Sequence, residues 1–326
     1  MLRAPAVFDI PVWAKPDSGS GTVGVGITRR HDMLMVTGAS GNLGRQVTAN
    51  LQALVGSSGL VAGTRDPSSE LARQLRASGV EVRQVDFDDP AHLTAAFEGI
   101  EAALIISTYA PNSIRPRQNL NAIEAAKRAG VRRLAYTSFA GAGPTATADH
   151  SVQVHWPTEQ ALVASGMKYT ILRHALYADI MVGDLNETLA TGVLRRAGGS
   201  ARCAYIARDD LAWSAANVLA NPGHENRVYT ETMEETLTCT QIAAAMSEVF
   251  DREIRYEAVP IDEWPPYMTE HWGVPAELAK SSLGTMRALQ DGEFDITSRD
   301  YESIAGRKPK TMREFLETVA AARQSG

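Results

Sequence analysis

The chain is poor in cysteine: only Cys203 and Cys239 occur in 326 residues. They lie far apart and match no metal or redox spacing. That excludes a zinc module and a disulfide-stapled domain, and it points to a reduced, cytoplasmic protein. Long apolar runs are missing too. Nothing approaches the ~18 residues of a membrane helix. Asp9, Pro11, Lys15 and Pro16 interrupt the apolar core that a signal peptide requires. Lysine is scarce, confined to Lys15, Lys127, Lys168, Lys280, Lys308 and Lys310, and the charge balance is −6 with both signs mixed along the chain. That argues against a nucleic-acid surface. Three catalytic signatures are absent from the sequence: a nucleophile elbow with its His and Asp, a metal-spaced His/Cys cluster, and a Walker loop. What remains is 44% hydrophobic and 21% charged, the composition of a globular protein of one large or two ordinary domains.

Glycine carries the first positive signal, and it does so twice. The stretch GSGTVG at 19–24 matches G-x-G-x-x-G letter for letter, whereas GASGNLG at 38–44 is spaced G-x-x-G-x-x-G. A phosphate-holding loop needs a strand to deliver the chain and a helix to leave it, because the helix N-terminus supplies free amides and partial positive charge. The first pattern follows AKPDS, which is turn chemistry, and precedes VGITRRHD, which has no helical period. It reads as part of a flexible extension over residues 1–32. The second follows the apolar run MLMVT (33–37), and after it Leu43, Val47, Leu51, Leu54 and Val55 recur at helical spacing. In this loop Gly38 permits the turn, Gly41 lets the backbone approach phosphate, and Gly44 lets the helix pack close to the strand. Ser40, Asn42 and Leu43 share the loop.

The alternation then continues. Strands are expected at 60–64, 80–86, 101–107 and 132–138. Helices are expected over 70–79, after Asp89-Pro90, over 117–130 and over 150–166. Strands alternating with helices predict a parallel, doubly wound Rossmann sheet. Ligands in such sheets bind beyond the carboxyl ends of the strands, which marks Arg65, Asp86, Phe87, Ser107, Thr108, Tyr109, Thr137, Ser138 and Phe139. Arg65 stands where an NAD-binding fold places an acid on the ribose hydroxyls, and its planar fork suits a 2′-phosphate. NADP(H) is therefore the expected cofactor, with NAD(H) left open and no metal expected.

The motifs VTGASGNLG, VDFDDPAHLTAAFEGIEAALIIS, NAIEAAKRAGVRRLAYTS and YTILRHALYADIM resemble those of the atypical short-chain dehydrogenases of the NmrA-like group. The subgroup they resemble most is that of the quinone oxidoreductases and triphenylmethane reductases. The resemblance runs from residue 33 to about 320. It implies a Rossmann domain over 33–155 that binds NADP(H). It also implies that 156–326 is mainly a smaller C-terminal α/β substrate domain, with some elements returning to the sheet. The partner would be a small-molecule substrate, on a monomer or homodimer.

The catalytic residues are less plain. Many short-chain dehydrogenases use Tyr-x-x-x-Lys, but no tyrosine here has a lysine four residues on. Where the subgroup's segment resembles H-x-x-T-E-K, this chain reads His155-Trp-Pro-Thr-Glu-Gln160, so Gln160 stands in place of the lysine and Trp156 in place of a catalytic tyrosine. Gln160 is left with a neutral role toward the nicotinamide ribose or carboxamide. Hydride delivery to a quinone, a dye, an imine or an enone tolerates that loss, since it rests mainly on proximity and orientation. His155, His174 and Tyr177 are the candidate proton donors. Each also has a structural reading: a residue at a helix start, a polar group at a strand end and an aromatic cleft wall. Trp264, Tyr267 and Trp272 either wall a flat substrate or form the core of the second domain. The expected function is an NADPH-dependent oxidoreductase acting on a small electron-poor acceptor. The alternative is an NADP-sensing regulator without turnover.

Overall fold

The computed structural model describes residues 33–146 and 151–325. The extension 1–32, with its letter-perfect glycine pattern, lies outside the described residues. The strands are β1 (Met33–Val36), β2 (Leu60–Thr64), β3 (Glu81–Gln84), β4 (Ile100–Ile105), β5 (Arg133–Phe139), β6 (Lys168–His174), β7 (Leu176–Tyr177), β8 (Val193–Arg196), β9 (Tyr205–Ile206), β10 (Arg227–Glu231) and β11 (Arg255–Ala258). The helices of the first half are α1 (Asn42–Val55), α2 (Glu70–Ala77), α3 (Pro90–Ala96), α4 (Arg115–Arg128) and α5 (Trp156–Ala164). Those of the second half are α6 (Leu185–Thr191), α7 (Arg208–Ala220), α8 (Cys239–Val249), α9 (Trp264–Trp272), α10 (Ala276–Lys280), α11 (Ser282–Gln290), α12 (Asp300–Ala305) and α13 (Met312–Ser325).

Seven strands form one sheet in the order β10-β6-β5-β4-β1-β2-β3, and every pairing in it is parallel. The five expected strands are present, each within a few residues of its expected bounds. β2 is buried along its whole length, as a strand covered on both faces must be. One face packs Leu43, Val47 and Leu51 of α1 against Leu211, Ala215 and Leu219 of α7. The other packs Leu93 of α3, Ala122 and Ala126 of α4 and Leu162 of α5. The sheet is thus doubly wound. Its strand order reverses between β1 and β4, and that switch point opens a crevice at the carboxyl ends.

A third apolar cluster surrounds the β8–β11 pair and draws on α6, α8, α9, α11 and α13. Trp264, Trp272, Met286, Phe294 and Phe315 lie in it. The sequence reading had taken His174 as the end of a strand, which is β6, but had placed no strand at Arg227–Glu231; both extend the main sheet. β10 is the edge strand and leaves Arg227 and Val228 exposed. An edge strand of this kind carries no continuous apolar run to betray it. The helix expected over 150–166 begins instead as a π-helical turn at Ser151–His155 and becomes α5 at Trp156, with Pro157 in its first turn.

Candidate active site

The glycine loop is shaped as the sequence implied. Gly38 has φ +61°, the left-handed region that a side chain disfavours. Gly41 has an ordinary φ of −82° and is the N-cap of α1. An added Cβ there would stand 3.3 Å from the Gly38 carbonyl oxygen, a tight contact to which the loop would have to yield. At Gly44 an added Cβ would collide with the Gly38 carbonyl, 2.7 Å from its carbon, and lie 2.9 Å from Ala39 Cα. Helix α1 has no side-chain cap and no acidic residue in its first turn. Its N-terminal amides and dipole are therefore suited to an anion at the switch point. Ser40 accepts a 3.1 Å hydrogen bond from Thr64 at the end of β2. Arg65 follows, exposed, one residue beyond. Asp86 bonds the Asp88 amide at 3.0 Å, and Phe87 is buried in the core with its carbonyl accepting from Asn121.

At the ends of β4 and β5 a polar cluster is built from Ser107, Thr108, Thr137 and Ser138. Thr137 accepts from the Ser107 amide at 2.9 Å, and Thr108 donates to Gln118 at 2.6 Å. Ser138 donates to buried Glu159 at 2.5 Å, and Glu159 is clamped by Arg173 through bonds of 2.9 and 2.6 Å. On α5, then, the side chain that reaches the sheet is Glu159. Gln160 lies on the exposed side of the helix.

His155 is buried at 3% exposure. Its Nδ1 lies 2.9 Å from the Tyr136 hydroxyl and its Nε2 lies 3.2 Å from the Arg115 guanidinium. Arginine can only donate, so Nε2 accepts and Nδ1 carries the proton toward Tyr136. His155 thus accepts from Arg115 and donates to Tyr136. Burial pushes the Tyr136 phenol up to about 12.

The other two candidates touch each other. The Tyr177 hydroxyl lies 2.9 Å from His174 Nδ1, and His174 Nε2 lies 3.4 Å from Glu231 Oε2. His174 and Glu231 are almost completely buried. Burial lowers His174 to about 3, and burial, reinforced by the charges of Asp300 and Asp210, raises Glu231 to about 8. The pair is accordingly neutral near pH 7, with the proton on the carboxyl group. Burial also raises the Tyr177 phenol, against the opposing pull of the Arg208 guanidinium 5.9 Å from its ring.

A cavity of about 290 Å³ is lined by Leu176, the residue before Tyr177, but not by His174, Tyr177 or Glu231 themselves. Tyr109 and Arg115 line one part of it, Leu176 another, and Trp264, Trp272 and Met268 come from the C-terminal body. The two tryptophans meet edge to face at 5.0 Å and are 4% and 5% exposed. They serve as core and wall at once, so the two readings of that segment coincide. Among the described residues no group of three or more His, Cys, Asp or Glu is arranged for a metal ion, and no helix is long and apolar enough to cross a membrane.

Sequence reasoning had missed Arg115, Glu159 and Glu231. Glu231 closes an unrecognised strand. Arg115 and Glu159 sit among helical positions that read as ordinary charged surface.

A glycine-walled helix N-terminus at the switch point of a seven-stranded parallel sheet defines a dinucleotide-binding α/β protein of the Rossmann type. The NmrA-like family profile matches residues 30–316, and the chain belongs to that family. It is 34% identical to quinone oxidoreductase 2 of Escherichia coli (strain K12) over 289 residues, 87% of this chain and 97% of that protein. The NADPH-dependent quinone oxidoreductase of Escherichia coli, complexed with NADPH, matches with a TM-score of 0.81 at 32% identity, over 88% of this chain and 100% of that one. The triphenylmethane reductase of Citrobacter, complexed with NADP(H), matches with a TM-score of 0.80 at 33% identity, over 89% and 99%.

Proposed function

We propose that the protein is an NADPH-dependent reductase that delivers hydride to a small electron-poor acceptor of the quinone, dye, imine or enone type. What carries this is an uncapped, glycine-walled helix N-terminus that follows β1 at the switch point, together with an aromatic cavity lined by Tyr109 and Arg115, which follow β4, and by Leu176, which follows β6, strands of the same parallel sheet. The similarity to reductases over nearly the whole chain supports it.

The residues fit the cofactor. Gly38, Ser40, Gly41, Asn42, Leu43 and Gly44 would hold its pyrophosphate, and Arg65 would meet the 2′-phosphate. Asp86 and Phe87 would serve the adenosine half. Ser107, Thr108, Tyr109, Thr137, Ser138 and Phe139 would serve the nicotinamide half. When bound, NADPH supplies the hydride. The division of labour follows: residues 33–155, with the returning strands β6 and β10, hold the cofactor, and the C-terminal body walls the acceptor. The two cysteines are free and buried, which suits a reducing cytoplasmic setting.

Reduction of a quinone also consumes a proton at oxygen. Tyr177 is the proton donor in this account. His174 Nε2 and the Glu231 carboxyl oxygens are 3.4 Å apart at the nearest and form no hydrogen bond with each other. A small approach of the protonated carboxyl group would let it donate to Nε2, so that His174 Nδ1–H donates to the Tyr177 oxygen and leaves the phenolic hydrogen free for the acceptor. When Tyr177 gives up that proton, His174 and Glu231 pass one along behind it, and Arg208 stabilises charge that develops on the phenol. Gln160 contributes at most a neutral hydrogen bond.

The direct test is NADPH consumption, followed by its near-ultraviolet absorbance, with a panel of quinones, dyes and imines. Loss of signal with any acceptor supports the reductase. Tight NADP(H) binding without turnover across the whole panel would favour a nucleotide-sensing regulator.

A further inference from the structure

The cavity contains a cation, Arg115, that no carboxylate among the described residues neutralises. Arg115 lines it beside Tyr109. One guanidinium nitrogen of Arg115 is shared between the Ser107 hydroxyl at 3.1 Å and neutral His155 at 3.2 Å. Its Nε is buried and has no hydrogen-bond partner among the described residues. No carboxylate of the described residues forms an ion pair with it, and no Asp or Glu lines the cavity. Burial pulls its pKa below the usual arginine value, the mark of a charge held away from water. The second arginine on the wall, Arg196, is different. It grips Asp184 through bonds of 2.7 and 3.0 Å and lies 5.0 Å over the Trp272 ring. Its charge is already answered within the protein.

A partly desolvated guanidinium without a counter-charge is costly unless something completes it. The remaining wall is mainly apolar and aromatic, with Trp264, Trp272, Met268 and Met286, and its polar members, Asn112, Ser281, Ser282 and Thr285, are uncharged. We infer that Arg115 is the acceptor-selecting residue: the cavity takes flat aromatic acceptors that present an anionic oxygen, or a carbonyl oxygen gaining negative charge, to this guanidinium. It discriminates against cationic dyes. This rests on the reductase reading of the same cavity, and it adds the charge class of the substrate.

The experiment separates the two claims by measuring binding without turnover. Protein saturated with NADP⁺ is titrated calorimetrically with 1,4-naphthoquinone-2-sulfonate, with uncharged 1,4-naphthoquinone and with the cationic dye malachite green. The sulfonate should bind tightest, by roughly tenfold over the uncharged quinone, the size of one charge-assisted hydrogen bond. The dye should bind weakest. Arg115→Met should abolish the preference for the sulfonate, and Arg115→Lys should keep part of it. Equal binding of the two quinones by the natural protein overturns the inference. So does a preference that survives in Arg115→Met, or a dye that binds more tightly than the sulfonate. Titration of Arg115→Met with NADP⁺ supplies a further arm. A loss there as large as the loss for the sulfonate would assign Arg115 to the cofactor and refute its selecting role. The sulfonate preference measured by binding, together with no turnover of any quinone, would sink the reductase reading and leave the charge preference standing.

Discussion

Glu231→Gln changes one ionisable group, keeps the side-chain size, and interrogates the buried triad. In the folded protein burial raises Glu231 from 4.5 to about 8 and lowers His174 from 6.5 to about 3. Between pH 4.5 and 8 the folded state keeps a proton on Glu231 that the unfolded chain has released. Stability therefore falls as pH rises through that window. Between pH 3 and 6.5 folded His174 lacks a proton that the unfolded chain binds, so stability rises with pH there. The two slopes cancel between 4.5 and 6.5, which leaves a net loss from 6.5 to 8. At ~1.4 kcal/mol per pH unit for one proton, that loss is on the order of 2 kcal/mol. In a chain of this size it corresponds to roughly 4 °C in Tm. Thermal melts at matched ionic strength near pH 6.5 and near pH 9, on the natural protein and on Glu231→Gln, isolate the effect from all other groups. The natural protein should lose those few degrees between the two conditions beyond any loss in the variant. Identical pH dependence in the two proteins would refute a protonated Glu231 and, with it, the proposed relay.

Four further outcomes follow from the site. Gly41→Val should abolish NADPH binding in a fluorescence titration while leaving the melting temperature nearly intact, because its side chain fills the phosphate space. Gly44→Ala should lower both, because its methyl group meets the Gly38 carbonyl and Ala39. Arg65→Ala should weaken NADPH by roughly tenfold or more relative to NADH, the size of a lost charge-assisted pair; equal losses for the two nucleotides would remove Arg65 from the 2′-phosphate. Gln160→Ala should leave turnover and the shape of the pH–rate profile nearly unchanged, since the side chain is exposed and does not titrate; a large loss of rate would restore it to the nicotinamide site.

The doubly wound sheet was legible because its determinants are local. An apolar run, a glycine turn and a helical period are each contained within a short window, and from β1 to β5 they recur without interruption. The strand, glycine turn and helix at 33–55 were legible for the same reason. The edge strand β10 was not legible, because a polar, half-exposed strand resembles a loop in sequence. The triad was only half visible. His174 and Tyr177 lie three residues apart and had been singled out, but Glu231 reaches His174 only because β10 pairs with β6 in parallel, which sets Glu231 beside His174. Arg115 offered no signal at all. Its significance comes from the missing counter-charge, and that depends on three-dimensional neighbours.

The central claim, hydride transfer from NADPH with a proton supplied by Tyr177, is tested most directly by a single turnover in a stopped-flow instrument. Protein loaded with NADPH, or with NADPH carrying deuterium at the transferred position, is mixed with excess 1,4-naphthoquinone, and the loss of nicotinamide absorbance is recorded for the natural protein and for Tyr177→Phe. The account predicts complete oxidation of bound NADPH, slowed by deuterium, and a further fall of roughly a hundredfold in Tyr177→Phe, the usual scale for a general acid. Bound NADPH that stays reduced would contradict the reductase, and a Tyr177→Phe rate equal to the natural one would contradict the proton donor.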